Sequence, residues 1–201
     1  MNLFAGLGGK ELGNALSWIN EPQEWTFGAG GLSVRAEERT DFFIDEEGPS
    51  VRRSAHFLST NAVGDFELTA RVSVDMHYPF DSGCLMLMDD ESKWAKVCFE
   101  NWMGRPSIVS VVTDGYSDDC PSYPVEAKAV HLKILRAGNC FGFHYSLDGE
   151  AWTIVRYFNL KAARQVRVGV AAQAPVGESC RIVFSELTLE QRTIASAKNV
   201  A

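Results

Sequence analysis

The stretch HYSLDGEAWTIVR, residues 144–156, decides the fold class. Aromatic and β-branched residues flank Asp148-Gly149, a dipeptide that tolerates the positive φ of a tight turn. The stretch therefore predicts a β-hairpin in which Asp148 caps the loop, Gly149 takes the left-handed conformation and Trp152 packs back. Arg156 is the single charged residue on the apolar face of the second strand.

Strand-like runs continue on both sides of this hairpin. In FELTARVSV (66–74) apolar and polar residues alternate, which is typical of a half-buried antiparallel strand. GCLMLM (83–88) is apolar on both faces, so we predict a central strand there. Further runs lie at 94–100, 107–114, 130–136, 141–146, 152–158, 166–172 and 181–189. With no long helical pattern between them, the runs predict an all-β sandwich or barrel.

Length and charge narrow the class of protein. The 201 residues fit one domain, and we assign residues 1–190 to it and residues 191–201 to a polar, frayed C-terminal tail. The formal net charge of −7 argues against nucleic acid or an anionic membrane as partner. The N-terminus does not resemble a signal peptide, and no apolar run reaches the ~18 to 20 residues of a membrane span.

Cysteines and histidines indicate neither disulfides nor metal. The five cysteines contain no C-x-x-C pair, and the four histidines share no metal-ligand spacing. We read the cysteines as small buried residues in a reducing compartment and predict a cytoplasmic protein. The sequence indicates no cofactor and no metal.

Several segments, in order, resemble the DUF1349 family, which includes YesU-like and yeast regulation-of-enolase-like proteins. They are WINEPQEW (18–25), TDFF (40–43), GDFELTARV (64–72), DSGCLMLMDDESKWAKVCFE (81–100), SVVTDGYSDD (110–119), the hairpin above and VGVAAQAPVGESCRIVF (168–184). The resemblance implies a concanavalin A-like jelly roll, an antiparallel two-sheet β-sandwich with one concave face. It does not settle the activity.

The strand WAKVCFE (94–100) carries candidate ligand-binding residues. Alternation places Trp94, Lys96 and Glu100 on one face and the apolar Ala95, Val97 and Phe99 on the other. An aromatic, a cation and a carboxylate on one face suit a polyhydroxylated ligand. The alternative is a solvated outer face with a weak Lys96–Glu100 ion pair.

Two arginines on apolar faces, Arg136 and Arg156, need partners. An unpaired buried guanidinium costs several kcal/mol, so each is expected at a rim or beside a carboxylate. The candidate carboxylates are Asp41, Asp81, Glu100 and Asp118. Either the arginines help to form a polar cleft that binds a small molecule, or they belong to a structural ion-pair network.

We therefore predict non-catalytic binding of a carbohydrate or related small metabolite in the concave face. Its ligand-binding residues would be Asp41, Asp81, Trp94, Lys96, Glu100, Asp118, Arg136 and Arg156. One alternative is a protein-interaction module that regulates carbon metabolism, as the resemblance implies. Another is a sugar-acting hydrolase that uses Glu100 with Asp81 or Asp118, although the E-x-D-x-E strand pattern of related glucanases is absent.

Overall fold

Sixteen β-strands are found in residues 1–45 and 51–199, which are the residues described by the computed structural model. Sheet I has seven antiparallel strands, in the spatial order β1 (Ser17–Ile19), β6 (His56–Val63), β15 (Gln165–Gln173), β8 (Ser82–Asp90), β9 (Lys93–Trp102), β10 (Arg105–Asp114) and β11 (Tyr116–Pro124). Sheet II also has seven, in the order β14 (Thr153–Asn159), β13 (Cys140–Ser146), β12 (Ala129–Ala137), β7 (Phe66–Val74), β16 (Ser179–Glu190), β3 (Gly31–Glu37) and β2 (Glu24–Gly28). A separate pair, β4 (Phe42–Ile44) and β5 (Val51–Arg53), forms a small two-stranded sheet.

The main apolar core lies between the two sheets. On β7 the alternating residues Phe66, Leu68, Ala70 and Val72 are buried in it, while the residues between them are more exposed. On β9 the same core takes Ala95, Val97 and Phe99. The predicted all-β, antiparallel two-sheet sandwich is confirmed.

A second apolar cluster covers part of the outer face of sheet I, the face turned away from sheet II. Phe42 and Ile44 of β4 pack there against Trp94 and Met86, and β4 is tied to β11 by a hydrogen bond from the Ile44 amide to Ser117 Oγ. This cover explains why residues 82–88 of β8 are buried on both faces, as predicted for a central strand.

The hairpin that opened the sequence analysis forms from β13 and β14, but its loop spans residues 147–152. The Asp148 carboxylate accepts hydrogen bonds from the amides of Glu150 and Ala151, both at 2.8 Å, and Gly149 has a φ of 83°. Trp152 packs under Lys133, whose Nζ lies 4.0 Å from the ring centroid. The capping roles are confirmed, whereas the turn is wider than a tight two-residue hairpin.

The C-terminal segment 191–199 is ordered against sheet II, so the expectation of a frayed tail is wrong for these residues. Ile194 and Ala197 are buried on Leu135, and the Ile194 amide donates to Asp65. These apolar contacts act together with hydrogen bonds and with the ion pair between Arg192 and Glu67 to hold the segment on the sheet. Among the described residues, no helix is long and apolar enough to cross a membrane.

Candidate functional site

A cavity of roughly 350 Å³ opens on the outer face of sheet I, beside the β4–β5 pair. We call it the outer-face cavity. Its polar lining comes from Asp41, Asp45, Arg52, Lys96, Glu100, Asp119 and Gln173. Its apolar lining comes mainly from Phe43, Phe80, Trp102, Val109, Val111 and Val176. A few convergent polar groups in a partly aromatic cavity of this size are typical of a small-molecule site, for which ~300 to 1,000 Å³ is usual.

β9 supplies the floor of this cavity because its alternate residues Lys96, Glu100 and Trp102 face outward. Lys96 is only 2% exposed. Its Nζ donates to the Phe42 carbonyl at 2.8 Å, to Gln173 Oε1 at 2.8 Å and to Asp41 Oδ1 at 3.4 Å. The buried ammonium is thus held by three protein acceptors, which offset the cost of its burial.

Burial opposes the charged form of both ionisable groups of the floor, but nearby charges decide whether each group is charged near neutral pH. Burial opposes the charged form of Lys96, but the negative charge of Asp41 and other neighbouring acidic groups outweighs it, so the pKa of Lys96 is raised. Burial raises the pKa of Glu100 from 4.5 to about 8, and the opposing charge of Lys96 only reduces that rise. Near neutral pH the floor therefore carries a cationic Lys96 next to a largely protonated Glu100.

The rim beside Trp102 is held in an unusual backbone conformation. Phe80 has a φ of 69°, which is a strained conformation for an aromatic residue, and its ring lies 5.7 Å from that of Trp102. The Asp81 carboxylate fixes this loop by accepting hydrogen bonds from the amides of His77 and Tyr78, at 3.0 and 2.8 Å. Strained residues held in this way concentrate at binding sites.

Three of the eight residues proposed from the sequence, Asp41, Lys96 and Glu100, come together in the outer-face cavity. The ion pair that joins Lys96 is with Asp41, at 3.4 Å, rather than with Glu100. Trp94 shares the strand face but is fully buried beneath Phe42, with ring centroids 5.9 Å apart. The prediction that Trp94 offers a stacking surface is therefore wrong, because β4 covers it.

The two other aspartates lie outside the cavity. Asp81 is fully buried and holds the rim loop from behind, and burial raises its pKa although the two amide hydrogen bonds oppose the rise. Asp118 is exposed and pairs with Arg156. In β11 it is the next residue, Asp119, that points into the cavity, because it shares a sheet face with its partner Val111. Neither Asp81 nor Asp118 therefore meets Glu100 as a catalytic partner.

Both arginines belong to sheet II and do not reach the outer face of sheet I. Arg136 seals one end of the core by donating to the carbonyls of Gly138, Ala162, Ala163 and Arg164. Arg156 reaches from β14 to Asp118 of β11, at 3.2 Å. The structural ion-pair alternative accounts for Arg156, and backbone carbonyls rather than a carboxylate satisfy Arg136.

The sequence did not identify several residues that line the cavity. They are Phe80 at the rim, Trp102, Asp119, Gln173 and the lining residues of the β4–β5 pair. Trp102 could have been predicted, because the alternation that places Lys96 and Glu100 on one strand face also places Trp102 on it. Gln173 is the polar residue that follows Gly169 and Ala171 on one face of β15. Nothing in the sequence indicates that β4 and β5 fold over sheet I.

Two thiols lie beneath the cavity floor. Cys84 and Cys98 are direct cross-strand partners, and their Sγ atoms are 3.0 Å apart as free thiols. Burial, together with Cys84, raises the pKa of Cys98 well above its ordinary value. Within residues 1–45 and 51–199, no group of three or more His, Cys, Asp or Glu side chains could hold a metal ion.

Fold and cavity together define an antiparallel two-sheet β-sandwich with a candidate small-molecule site on one sheet. The model of the family described as "Protein of unknown function (DUF1349)" matches residues 18–192. The chain belongs to this family, as its ordered sequence segments indicated.

Comparison with known proteins finds relatives of the whole sandwich. The chain is 26% identical over 174 residues to Regulation of enolase protein 1 of Saccharomyces cerevisiae, covering 86% of this chain and 88% of that protein. A crystal structure of a functionally unknown S. cerevisiae protein is similar with a TM-score of 0.84 and 26% identity, over 89% of this chain and 97% of the other. The carbohydrate binding module CBM66 from Bacillus subtilis shares the fold, with a TM-score of 0.60 and 14% identity, over 89% of this chain and 98% of that module.

Proposed function

We propose that the protein binds a carbohydrate or related small metabolite, without catalysis, in the outer-face cavity. The observation that carries this proposal is the convergence of buried Asp41, Lys96 and Glu100 at the floor of a cavity of roughly 350 Å³ with an aromatic rim. Sugars present hydroxyl groups to polar side chains and an apolar ring face to aromatic ones, so both parts of the lining have a use.

The comparisons support this proposal at the level of fold. A module named for carbohydrate binding has the same sandwich architecture, although at 14% identity it supports no transfer of individual residues. The name of the yeast relative supports a place in carbon metabolism, either through a bound metabolite or through a protein partner. The free thiols of Cys84 and Cys98 are consistent with the reducing cytoplasm, where we place the protein.

The proposal is tested by isothermal titration calorimetry and thermal shift with a panel of monosaccharides, disaccharides and polyols. We expect at least one compound to bind and to raise the melting temperature. Trp102→Ala and Asp119→Ala should weaken this binding by about tenfold or more, equivalent to ~1.4 kcal/mol. The matched control is Asp118→Ala, which removes the neighbouring carboxylate on the opposite face of β11 and should leave the affinity unchanged.

Two results would contradict the proposal. One is the absence of binding across the panel. The other is equal loss of affinity in the Asp118 and Asp119 variants, which would place the ligand elsewhere. Incubation of each bound compound with the protein, followed by chromatography, separates binding from hydrolysis: release of products that depends on Glu100 would assign an enzyme.

A further inference from the structure

We propose that the outer-face cavity selects neutral, hydroxyl-rich sugars or polyols against the corresponding sugar acids. This inference rests on the proposed function and deepens it, because it names the chemical class of the ligand. It follows from how the charged side chains of the cavity are already engaged within the protein.

The buried cation has no donor left for an acidic ligand. An ammonium group has three N–H bonds. Those of Lys96 are directed at the Phe42 carbonyl, Gln173 Oε1 and Asp41 Oδ1. To bind a ligand carboxylate, Lys96 would have to give up one of these partners, and a buried acceptor would then lose its hydrogen bond.

The second cation, Arg52, lies beside the same aspartate. Arg52 Nη1 lies 3.7 Å from Asp41 Oδ2, and the Arg52 side chain is 47% exposed. Its charge is therefore partly balanced by Asp41 and screened by water. Asp41 thus holds both cations of the cavity, Lys96 through one oxygen and Arg52 through the other.

Carboxyl groups outnumber cations around the cavity. Besides the largely protonated Glu100, the lining contains Asp41, Asp45 and Asp119 against Lys96 and Arg52. Within the described chain, no Lys, Arg or His forms an ion pair with Asp119, which leaves its carboxylate as a hydrogen-bond acceptor at the cavity wall. Such groups accept hydrogen bonds from ligand hydroxyls and repel a ligand anion.

The rest of the lining is suited to an uncharged ring. Phe43, Phe80 and Trp102 give the cavity an aromatic side on which the apolar face of a sugar ring can pack. Glu100, protonated near neutral pH because burial raises its pKa to about 8, can donate as well as accept a hydrogen bond to a hydroxyl. Neither feature offers compensation for a negative charge.

The test compares matched compounds at equal ionic strength and pH 7. Glucose is paired with glucuronate, galactose with galacturonate, and sorbitol with gluconate, and each affinity is measured by isothermal titration calorimetry. In every pair in which either member binds, we expect the acid to bind at least about tenfold more weakly. Asp119→Asn should reduce the ratio of the neutral compound's affinity to the acid's affinity, and Arg52→Gln should increase it. Asp118→Asn, which changes the opposite face of β11, should leave this ratio unchanged.

The outcomes separate the two proposals. Weaker binding of the acids supports the inference. If an acid binds as tightly as its neutral partner or more tightly, the charge selectivity is overturned while the proposed binding function stands. If no compound in this set or in the wider panel binds, both proposals fail. The wild-type comparison needs no variant, so a poorly folding variant does not affect this decision.

Discussion

Single residues decide the chemistry of this cavity, and Glu100 is the clearest example. It sits among Lys96, Asp41 and Asp119, and burial raises its pKa to about 8. A buried ammonium next to a buried carboxyl would suggest an ion pair, yet Lys96 is directed at Asp41 instead. The sequence could place Lys96 and Glu100 on one face of a strand. It could not rank their partners, because Asp41 arrives from a separate element.

The raised pKa of Glu100 predicts an unusual pH dependence of stability. In the unfolded chain the carboxyl releases its proton near 4.5, whereas in the folded protein it does so near 8. Between these values the folded state holds one more proton, so the free energy of unfolding falls as pH rises through this window and levels off above it. Glu100→Gln should remove this slope and be more stable than the wild type at pH 8 by on the order of a few kcal/mol.

Urea unfolding at pH 5, 6, 7 and 8, followed by circular dichroism, measures this effect. Glu126→Gln, which changes an exposed glutamate away from the cavity, controls for the loss of one acidic group. A parallel pH profile for wild type and Glu100→Gln would show that Glu100 is ionised in the folded protein throughout this range.

At the scale of elements, the sequence predicts most of the strands that pack in the core, although it misses β6, and it also misses several peripheral strands. β7 shows clear alternation because one of its faces is buried, whereas β9 is buried on both faces and alternates in polarity between the apolar core and the polar cavity floor. β11 was missed since it is polar and exposed and contains two prolines, as an edge strand can. The short strands β4 and β5 were missed as well, and they are the elements that cover Trp94 and complete the cavity.

The C-terminal segment provides a prediction at this scale. Gly142 of β13 lies directly beneath it, and a Cβ at this position would clash with the Ala197 carbonyl oxygen. Gly142→Ala should therefore displace the segment and lower the free energy of unfolding by about 1 to 3 kcal/mol. Gly28→Ala is the matched control, since it changes a strand glycine with open space around its Cβ and should stay within about 0.5 kcal/mol.

Chemical denaturation measures the stability of both variants, and limited proteolysis measures the accessibility of the segment. We expect Gly142→Ala alone to be cleaved faster after residue 190. Equal stability and equal cleavage of the two variants would show that packing of the segment over Gly142 does not stabilise the protein.

At the scale of the whole molecule, two arginines hold the sheets together beyond the edges of the apolar core. Arg136 closes one end by binding four backbone carbonyls around residues 138 and 162–164. Arg156 joins the edge strands β14 and β11 through Asp118, whose side chain is 72% exposed. The two arginines looked alike in the sequence, each the one charge on an apolar strand face, but the structure gives them different environments.

These environments predict that substitution of the two arginines lowers the free energy of unfolding by different amounts. Arg136→Met should lower the free energy of unfolding by about 2 to 3 kcal/mol, because it removes a buried guanidinium that donates hydrogen bonds to four backbone carbonyls. Arg156→Met should cost no more than about 1 kcal/mol, because its ion pair is largely exposed to water and salt. Urea denaturation of both variants at low and high salt tests this difference, and only the cost of Arg156→Met should depend on salt. Equal costs would contradict this account of the two ends of the sandwich.

The sequence by itself determined the all-β class, the core-facing residues of most long strands, the capping of the hairpin at 144–156 and the family. These properties are local or periodic, since alternation and turn residues can be read along one strand. Only the tertiary structure decided that Asp41, Lys96 and Glu100 meet Asp119, Gln173 and Trp102 in one cavity, while Asp81, Trp94, Asp118, Arg136 and Arg156 serve the scaffold. The reason is that this choice depends on which strands become neighbours and on what covers them, and residues distant in the chain set both.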